Sequence, residues 1–169
     1  MYIYRPAEDS YLTLRVLRRL RDNFGICIDV GAGSCVLSEY LAKICRIVVP
    51  VDINVYACSG CKALGPLCAH GLSAIRRADL VVSNPPYLPP EEPQRDWEAV
   101  AIYDYGLINH ILRWAFAYRP RVLVLTFSSL GRADFVEEAL RALGEVLALE
   151  KEHYFFEDII SVAIKIFTL

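Results

Sequence analysis

The 169-residue sequence has little net charge and lacks a long uninterrupted apolar run. Its 18 basic and 20 acidic residues give a net charge of −2 and a pI near 5.9. Domains that hold nucleic acid mainly through its phosphates are usually strongly basic, so this balance argues against direct nucleic-acid binding. Every candidate membrane span is broken by Arg, Asp or Gly. The first six residues do not resemble a secretion signal, and we therefore expect a cytoplasmic protein without a membrane partner.

Lysine, glutamine and methionine are also scarce. There are four Lys against fourteen Arg, with one Gln and one Met, which is weakly indicative of a thermophile. By contrast, 55% of the residues are hydrophobic and the mean hydropathy is +0.33, which is high for a soluble monomer. Two interpretations follow: either a partner covers an apolar surface patch, or the core is very well filled.

Six cysteines are many for a cytoplasmic chain of this size. Cys58 and Cys61 form a C-x-x-C pair, with Cys68 and His70 shortly after. The spacing of the second pair is a poor match to a zinc site, and we predict no metal. The preferred interpretation is that most of the six cysteines are small buried hydrophobic residues. One or two disulfides rank second and zinc third.

Short apolar segments alternate with amphipathic segments along a single predicted domain, residues 1–169. Helices are predicted over residues 10–22, 35–43 with Ser34 as the cap, 55–64, 105–117 and 132–143. Strands are predicted over residues 26–30, 46–51, 67–69, 80–82, 121–126, 146–156 and 160–167. This order predicts an α/β fold with a mostly parallel, twisted sheet of about seven strands and an antiparallel C-terminal strand pair. In such folds ligands bind beyond the carboxyl ends of the strands.

A glycine-rich turn follows the first predicted strand, in the sequence Asp29-Val-Gly31-Ala-Gly33-Ser-Cys35. Glycine at positions 31 and 33 permits a tight turn and lets a ligand approach the backbone. Cys35 replaces the third glycine of the dinucleotide fingerprint. The Asp29 carboxylate would repel a pyrophosphate but would attract the ammonium and sulfonium groups of S-adenosylmethionine (SAM). The turn therefore favours SAM over NAD.

An acidic residue at the end of the second strand has the spacing of a ribose-binding carboxylate. Asp52 lies 21 positions after Gly31, close to the roughly 20 expected for an acid that accepts hydrogen bonds from ribose hydroxyls. Ile53 follows and is predicted to pack on the adenine ring. A carboxylate for the adenine amino group would be expected after the third strand, where the sequence reads His70-Gly71-Leu72. Either His70, backbone groups or packing alone would then hold the adenine.

The segment Asn84-Pro85-Pro86-Tyr87 follows the fourth predicted strand. Proline fixes its own φ and restricts the preceding residue, so the segment is stiff. It offers two acceptors, the Asn84 side-chain oxygen and the Pro85 carbonyl, which match the two hydrogens of an NH2 group. Tyr87 adds a flat face for stacking an amide or a base. These residues indicate methylation of a planar nitrogen, although a rigid turn in a proline-rich loop, with prolines also at 89, 90 and 93, is the structural alternative.

Together these motifs resemble the HemK-type class I SAM-dependent methyltransferases. The similarity is greatest to the archaeal and eukaryotic branch that methylates the glutamine amide of class-1 translation release factors. The motifs that carry it are Tyr4-Arg-Pro-Ala-Glu-Asp-Ser10, Asp29-Val-Gly-Ala-Gly33, Val51-Asp-Ile-Asn54 and Asn84-Pro-Pro-Tyr87. The Asn-Pro-Pro-Tyr motif alone is shared with DNA adenine and rRNA guanine methyltransferases. The motif at residues 4–10 narrows the resemblance to the release-factor branch.

The resemblance implies a role for each matching residue. It implies that Ser10 contacts the cofactor, that Asp29 and Gly31 hold its amino-acid end and that Asp52 holds its ribose. The helix over residues 10–22 would cover the cofactor site. Asn84, also beside the cofactor, would bind the target glutamine with Pro85. The assignments of Gly33 and Ile53 to the cofactor site and of Tyr87 to the substrate site come from the sequence pattern alone.

The resemblance also implies a release factor as substrate and a small zinc-ribbon activator subunit that covers an apolar edge. The sequence departs from the family at Cys35, at residues 70–72 and over residues 97–106, which is less glycine-rich than usual. Two other functions remain open from the residues: methylation of an exocyclic amino group of adenine or guanine in DNA or RNA, and a non-enzymatic SAM-binding scaffold.

Overall fold

The computed structural model describes residues 3–89, 97–104 and 106–168, with the backbone alone for residues 63 and 97–99. Six α-helices lie in the described part of the chain: α1 Glu8–Arg19, α2 Val36–Leu41, α3 Val55–Gly60, α4 Trp97–Ile102, α5 Leu107–Tyr118 and α6 Ala133–Leu143. The described strands are β1 Phe24–Val30, β2 Cys45–Asp52, β3 Leu67–Cys68, β4 Leu80–Ser83, β5 Val122–Ser128, β6 Gly144–Tyr154 and β7 Glu157–Ile166.

The seven strands form one sheet in the order β3-β2-β1-β4-β5-β7-β6. The first five of these are parallel neighbours, whereas β7 pairs antiparallel with both β5 and β6. The chain order reverses between β1 and β4, which is the switch point where ligands bind in open α/β sheets. The predicted fold class, including the antiparallel C-terminal pair, is confirmed.

Helices cover both faces of the sheet and create two apolar cores. On one face, α1 and α2 contribute Leu14, Leu17, Leu37 and Leu41. On the other face, α5 and α6 pack against the sheet through Ile111, Leu112, Val136 and Leu140. The central strands β4 and β5 are buried along their whole length, as expected for parallel strands covered on both sides. In the described part of the chain, no helix combines the length and apolarity that crossing a bilayer requires.

Three predicted helix ends, the two of α1 and the first of α2, are wrong for local reasons. Helix α1 begins at Glu8 rather than at residue 10, and its first turn carries Glu8 and Asp9, whose charge suits the positive end of the helix dipole. It ends before residue 22 because Leu20 is extended (ψ 123°). Ser34 is not the cap of α2, because Cys35 occupies that position in a left-handed conformation (φ 66°) without a side-chain capping bond.

Other differences concern shorter elements. The helix predicted over residues 55–64 divides at Cys61 into α3 and a 3-10 turn, Lys62–Leu64, and Asn54 caps α3 by accepting from the Tyr56 N–H. Helix α4 was not predicted. The remaining bounds shift by a few residues. The predicted start of α5 at residue 105, the prolines at 90 and 93 and the first two residues lie outside the described residues.

All six cysteines form disulfides: Cys27–Cys45, Cys35–Cys61 and Cys58–Cys68. Their Cα–Cα distances of 6.1, 5.9 and 6.0 Å lie in the usual range for a bridge. The preferred interpretation, that most of the cysteines are small buried hydrophobic residues, is therefore wrong. The second, one or two disulfides, is right in kind but too low in number, since there are three. Residues of the C-x-x-C motif bond to different partners, which local spacing does not reveal. Within the described residues no group of three or more His, Cys, Asp or Glu side chains has the arrangement of a metal site.

We expect reduction to destabilise the protein, because bridges restrict the unfolded chain. Cys27–Cys45 and Cys35–Cys61 close loops of 18 and 26 residues, for which the chain-entropy model gives about 3 kcal/mol each. Urea unfolding with and without dithiothreitol measures the loss. The variant Cys27→Ser/Cys45→Ser isolates one bridge, and it should retain part of the response to reductant. Identical unfolding midpoints for the wild type in both conditions would contradict the pairing.

Candidate cofactor and substrate site

A cavity of about 470 Å³ opens at the carboxyl ends of the central strands, with walls from α1, the glycine-rich turn and the segments after β2 and β4. This size is typical of small-molecule sites. Eight of the nine residues predicted for the site line it: Ser10, Gly31, Gly33, Asp52, Ile53, Asn84, Pro85 and Tyr87. Asp29 is fully buried and is not among the lining residues. The topology thus gathers residues that are far apart in sequence.

The glycine-rich turn needs left-handed backbone at two positions. Gly31 has φ 74° and Gly33 has φ 50°, values at which a side chain is strained. The Gly31 N–H donates to the Val51 carbonyl at 2.8 Å, which anchors the turn to β2. Behind the turn, the Cys35–Cys61 bridge packs with Ala32 in a small buried cluster. The turn is therefore held on both sides, and its glycines line the cavity.

Asp52 is fixed at the end of β2 by two backbone donors. Its Oδ2 accepts from the Gly33 N–H at 2.9 Å and its Oδ1 accepts from the Asn54 N–H at 2.8 Å. Burial raises the pKa of Asp52, although these hydrogen bonds oppose the effect. Each carboxylate oxygen retains a lone pair for a further donor. The geometry suits a ligand with hydroxyl groups.

Asp29 is buried beneath the glycine-rich turn. Its Oδ2 accepts from the Ser38 hydroxyl at 2.6 Å, whereas its Oδ1 has no hydrogen-bond partner among the described residues. Burial raises the pKa of Asp29 to about 6. The hydrogen bonds from Ser38 lower this pKa, and the nearby charge of Asp52 raises it. Burying a carboxylate with an unused acceptor costs free energy unless another group compensates its charge. A cationic ligand bound near the glycine-rich turn would compensate the charge of Asp29.

Asn84 presents a second unused acceptor. Its Oδ1 is buried without a partner in the described part of the chain, and its Nδ2 donates to the Ser10 hydroxyl at 3.4 Å. The residue before it, Ser83, ties β4 to β1 by donating to the Val30 carbonyl at 2.7 Å. The acceptor is therefore carried on a rigid strand end at the cavity wall. An incoming N–H group would satisfy it.

Tyr87 lines the same wall, and its hydroxyl donates to Asp9 Oδ2 at 3.2 Å. Burial, followed by the charge of Asp9, raises the pKa of Tyr87, so the phenol stays protonated at neutral pH. The Leu88 N–H donates to the Ile102 carbonyl and the Asp104 N–H to the Leu88 carbonyl, which connects this segment to the end of α4. Tyr87 is therefore fixed through its hydroxyl, by Asp9, and through the backbone of the next residue, Leu88.

Asp9 and Tyr4 are cavity residues that sequence reasoning did not assign. In the sequence, the signal that could have assigned them to the site was their place in the motif at residues 4–10. His70, considered as a substitute for the missing adenine-binding acid, also lines the cavity. Its ring lies edge-on to His110, with centroids 5.5 Å apart. His110 accepts from the Leu72 N–H at 3.0 Å, and burial followed by the His70 charge lowers its pKa.

We expect Asp29→Asn to stabilise the ligand-free protein above about pH 6. Because the folded pKa exceeds the ordinary value of 3.8, this carboxyl favours folding most below pH 4 and loses that contribution as pH rises to about 6. Removing the charge should therefore raise the free energy of unfolding by about 3 kcal/mol at pH 7.5 and by little at pH 4.

Urea unfolding at both pH values measures the difference. The control is Glu138→Gln, which alters an exposed carboxyl on α6 and should have little effect at either pH. A loss of stability for Asp29→Asn that is equal at both pH values would contradict the assignment.

No family model matches the chain. The chain is 35% identical over 112 residues to mouse methyltransferase HEMK2, with 53% of this chain and 52% of the mouse protein covered. It is 31% identical over 103 residues to a Methanocaldococcus jannaschii protein provisionally named as a protein N5-glutamine methyltransferase, with 55% of this chain and 51% of that protein covered. The chain spans about half the length of the curated relatives it matches.

The fold is similar over its whole length to a solved structure. This is a chain of the E. cuniculi Mtq2–Trm112 complex, which is responsible for the methylation of the eRF1 translation termination factor. The TM-score is 0.77 at 26% identity, with 98% of this chain and 99% of that chain covered. The predicted resemblance to the HemK-type methyltransferases, in sequence and in the class I methyltransferase fold, is therefore confirmed.

Proposed function

We propose that this protein transfers a methyl group from SAM to the side-chain amide nitrogen of a glutamine, in the Gly-Gly-Gln sequence of a class-1 release factor. The observation that carries the proposal is the buried Asn84 Oδ1, which has no hydrogen-bond partner among the described residues and lies at the wall of a cavity that Asp52 and the glycine-rich turn also line. A cofactor site and an amide-binding acceptor thus share one cavity. The names of the similar HEMK2, glutamine and eRF1 methyltransferases support the same reaction class.

The cofactor half of the cavity fits SAM. SAM supplies an electrophilic methyl group on a sulfonium centre. Asp52 would accept hydrogen bonds from its ribose hydroxyls, and Gly31 and Gly33 would let its amino-acid end approach the backbone. Asp29 would act from below the turn, where its raised pKa reports a buried charge that a cation would stabilise. Ile53 is 46% exposed beside Asp52 and would pack on the adenine.

The substrate half fits a primary amide. The Asn84 Oδ1 and the Pro85 carbonyl would accept from the two hydrogens of the target nitrogen, and the Tyr87 ring would pack against the amide plane. An amide nitrogen is a weak nucleophile because its lone pair is delocalised. As the nitrogen gains a fourth substituent it becomes positive, and acceptors aimed at its N–H bonds stabilise that charge more in the transition state than in the ground state.

The first test is methyl transfer to the release factor. With radiolabelled SAM, the wild-type enzyme should label a release factor that contains Gly-Gly-Gln and should not label a variant whose glutamine is replaced. Equal labelling of both proteins would contradict the proposal. Labelling of RNA or DNA instead would support the alternative function, methylation of an exocyclic amino group of adenine or guanine.

The second test separates chemistry from cofactor binding. Asn84→Ala should lower kcat by about 100- to 1,000-fold, as loss of one preorganised polar contact does in other enzymes, while SAM affinity stays within a few-fold. Isothermal titration and single-turnover labelling measure the two quantities. Methylation that is unchanged in Asn84→Ala would contradict the role of Asn84, and a large loss of SAM affinity would contradict its substrate role. A non-enzymatic scaffold predicts instead that the wild type labels nothing and that Asn84→Ala leaves the activity in the cell unchanged.

We further propose that a small activator subunit, a zinc-ribbon protein, covers the β2–β3 edge of the sheet. β3 has two residues and, within the part of the chain that the structure describes, pairs only with Val51 and Asp52, so β2 offers unpaired backbone before them. Exposed apolar side chains also lie on β2 and on the adjacent helix α3, namely Ile47, Val55 and Tyr56. A partner that buries them would satisfy both features. The similar E. cuniculi structure is itself a complex with Trm112.

Substitution at each sheet edge tests this location. Ile47→Lys should weaken co-purification with the activator, because it places a charge in the apolar edge. Val146→Lys is the matched control, since Val146 is also exposed and apolar but lies on β6 at the opposite edge. Binding lost by the control variant and kept by Ile47→Lys would overturn the assignment.

A further inference from the structure

The carboxylate of Asp9 is the centre of a hydrogen-bond network beside the predicted amide-binding site. It is only 4% exposed and accepts four hydrogen bonds. Its Oδ1 accepts from the Ser10 N–H at 2.6 Å and from the Ser10 hydroxyl at 3.3 Å. Its Oδ2 accepts from the Tyr4 hydroxyl at 2.9 Å and the Tyr87 hydroxyl at 3.2 Å. No role for Asp9 follows from the sequence motifs.

This network determines which way the Asn84 amide faces. A hydroxyl has one hydrogen, and that of Ser10 is directed to Asp9, so its oxygen is left to accept. The Asn84 group that faces Ser10, at 3.4 Å, must therefore be the NH2 group. The Asn84 oxygen is then turned away from Ser10, which agrees with its lack of a partner among the described residues.

The orientation matters because the reverse one would fail. If the Asn84 amide rotated by half a turn, its NH2 group would meet the NH2 group of the substrate, and two donors would face each other. The same Asp9 carboxylate also holds the Tyr87 hydroxyl, and therefore the ring that lines the cavity. One buried carboxylate thus orients two side chains at the substrate end of the cavity.

We propose that Asp9 is a positioning residue that acts through Ser10 to turn the Asn84 oxygen toward the substrate nitrogen, an inference that rests on the proposed amide methylation. It gives Ser10 a different role from the cofactor contact that the family resemblance implies. The two roles predict different kinetics. Loss of a cofactor contact raises the dissociation constant of SAM, whereas loss of orientation lowers kcat.

The test is a double-mutant cycle with Ser10→Ala and Asp9→Ala. Each variant should lower kcat by roughly 10- to 100-fold and leave SAM affinity within a few-fold, because a misplaced catalytic group loses rate rather than cofactor binding. Because the two residues act in series, the double variant should be little slower than Asp9→Ala alone. Multiplicative losses, or a tenfold or larger loss of SAM affinity in Ser10→Ala, would overturn the proposal.

A matched control is Thr13→Val on the same helix. Thr13 is a fully buried hydroxyl that donates to the Asp9 main-chain carbonyl at 2.8 Å and does not line the cavity. The Thr13→Val variant should lose about as much thermal stability as Ser10→Ala does, but its kcat should stay that of the wild type. A fall in kcat for Thr13→Val equal to that of Ser10→Ala would show that helix α1 merely supports the fold.

A measurement without substrate separates this proposal from the proposed function. In 15N-labelled protein the side-chain NH2 resonance of Asn84 is assigned by its absence in Asn84→Ala. Ser10→Ala should shift that resonance toward the position of a solvent-exposed amide and accelerate its hydrogen exchange. An unchanged resonance overturns the positioning role, even if the release factor is methylated. If the wild type does not methylate the release factor, the proposed function is contradicted. The NMR result for the Asn84 NH2 group then decides by itself whether Asp9 and Ser10 orient Asn84.

Discussion

The parallel pairing of β1 with β2 on one side and β4 on the other is the constraint on which the site depends. Val30, the last residue of β1, lies in register with Val51 and with Ser83. The residues that follow these strands therefore emerge at one edge, where they line a common cavity. The bond from the Ser83 hydroxyl to the Val30 carbonyl reinforces this alignment. Displacing one strand by two residues would separate Gly31 and Asp52 from Asn84 by several ångströms.

Two carboxylates, those of Asp9 and Asp52, line the cavity, and a third, that of Asp29, is buried beneath the glycine-rich turn. Burial raises the pKa of both Asp29 and Asp52, so the ligand-free protein holds negative charge that the interior disfavours. Asp9 receives four hydrogen bonds. A site with fixed acceptors and buried negative charge is stabilised by a cationic ligand carrying hydroxyl groups, at the expense of stability without it.

The sequence predicted those features that depend on local pattern. The strands β1, β2 and β4 are visible as short apolar runs that lead to Gly31, Asp52 and Asn84, and the topology rules then bring the ends of these strands together. Helix ends were less predictable, because Cys35 adopts a left-handed conformation that its residue type does not announce. Such positions depend on tertiary contacts, here the bridge to Cys61.

Long-range contacts were beyond the reach of sequence pattern. The six cysteines allow many pairings, and nothing local shows that neighbours in one C-x-x-C motif bond to different partners. The role of Asp9 depends on Tyr87, 78 residues away, and on the amide of Asn84, which Ser10 joins to it across 74 residues. The high hydrophobicity is divided between two places. The structure has a buried apolar cluster on each face of the sheet and exposed apolar side chains at both sheet edges.

The orientation of Asn84 bears on a choice that the Asn-Pro-Pro-Tyr motif alone leaves open, between an amide and a carboxylate of the same shape. In the proposed mechanism the Asn84 oxygen and the Pro85 carbonyl would both face the substrate, so a glutamate side chain would place its oxygens against two acceptors, whereas a glutamine would donate to both. A site arranged to accept from an NH2 group rejects an analogue that lacks it, because the buried acceptors are then left unpaired. On this proposal the selectivity for nitrogen would originate in the single hydroxyl hydrogen of Ser10, which donates to the Asp9 carboxylate and leaves the Ser10 oxygen to accept from Asn84.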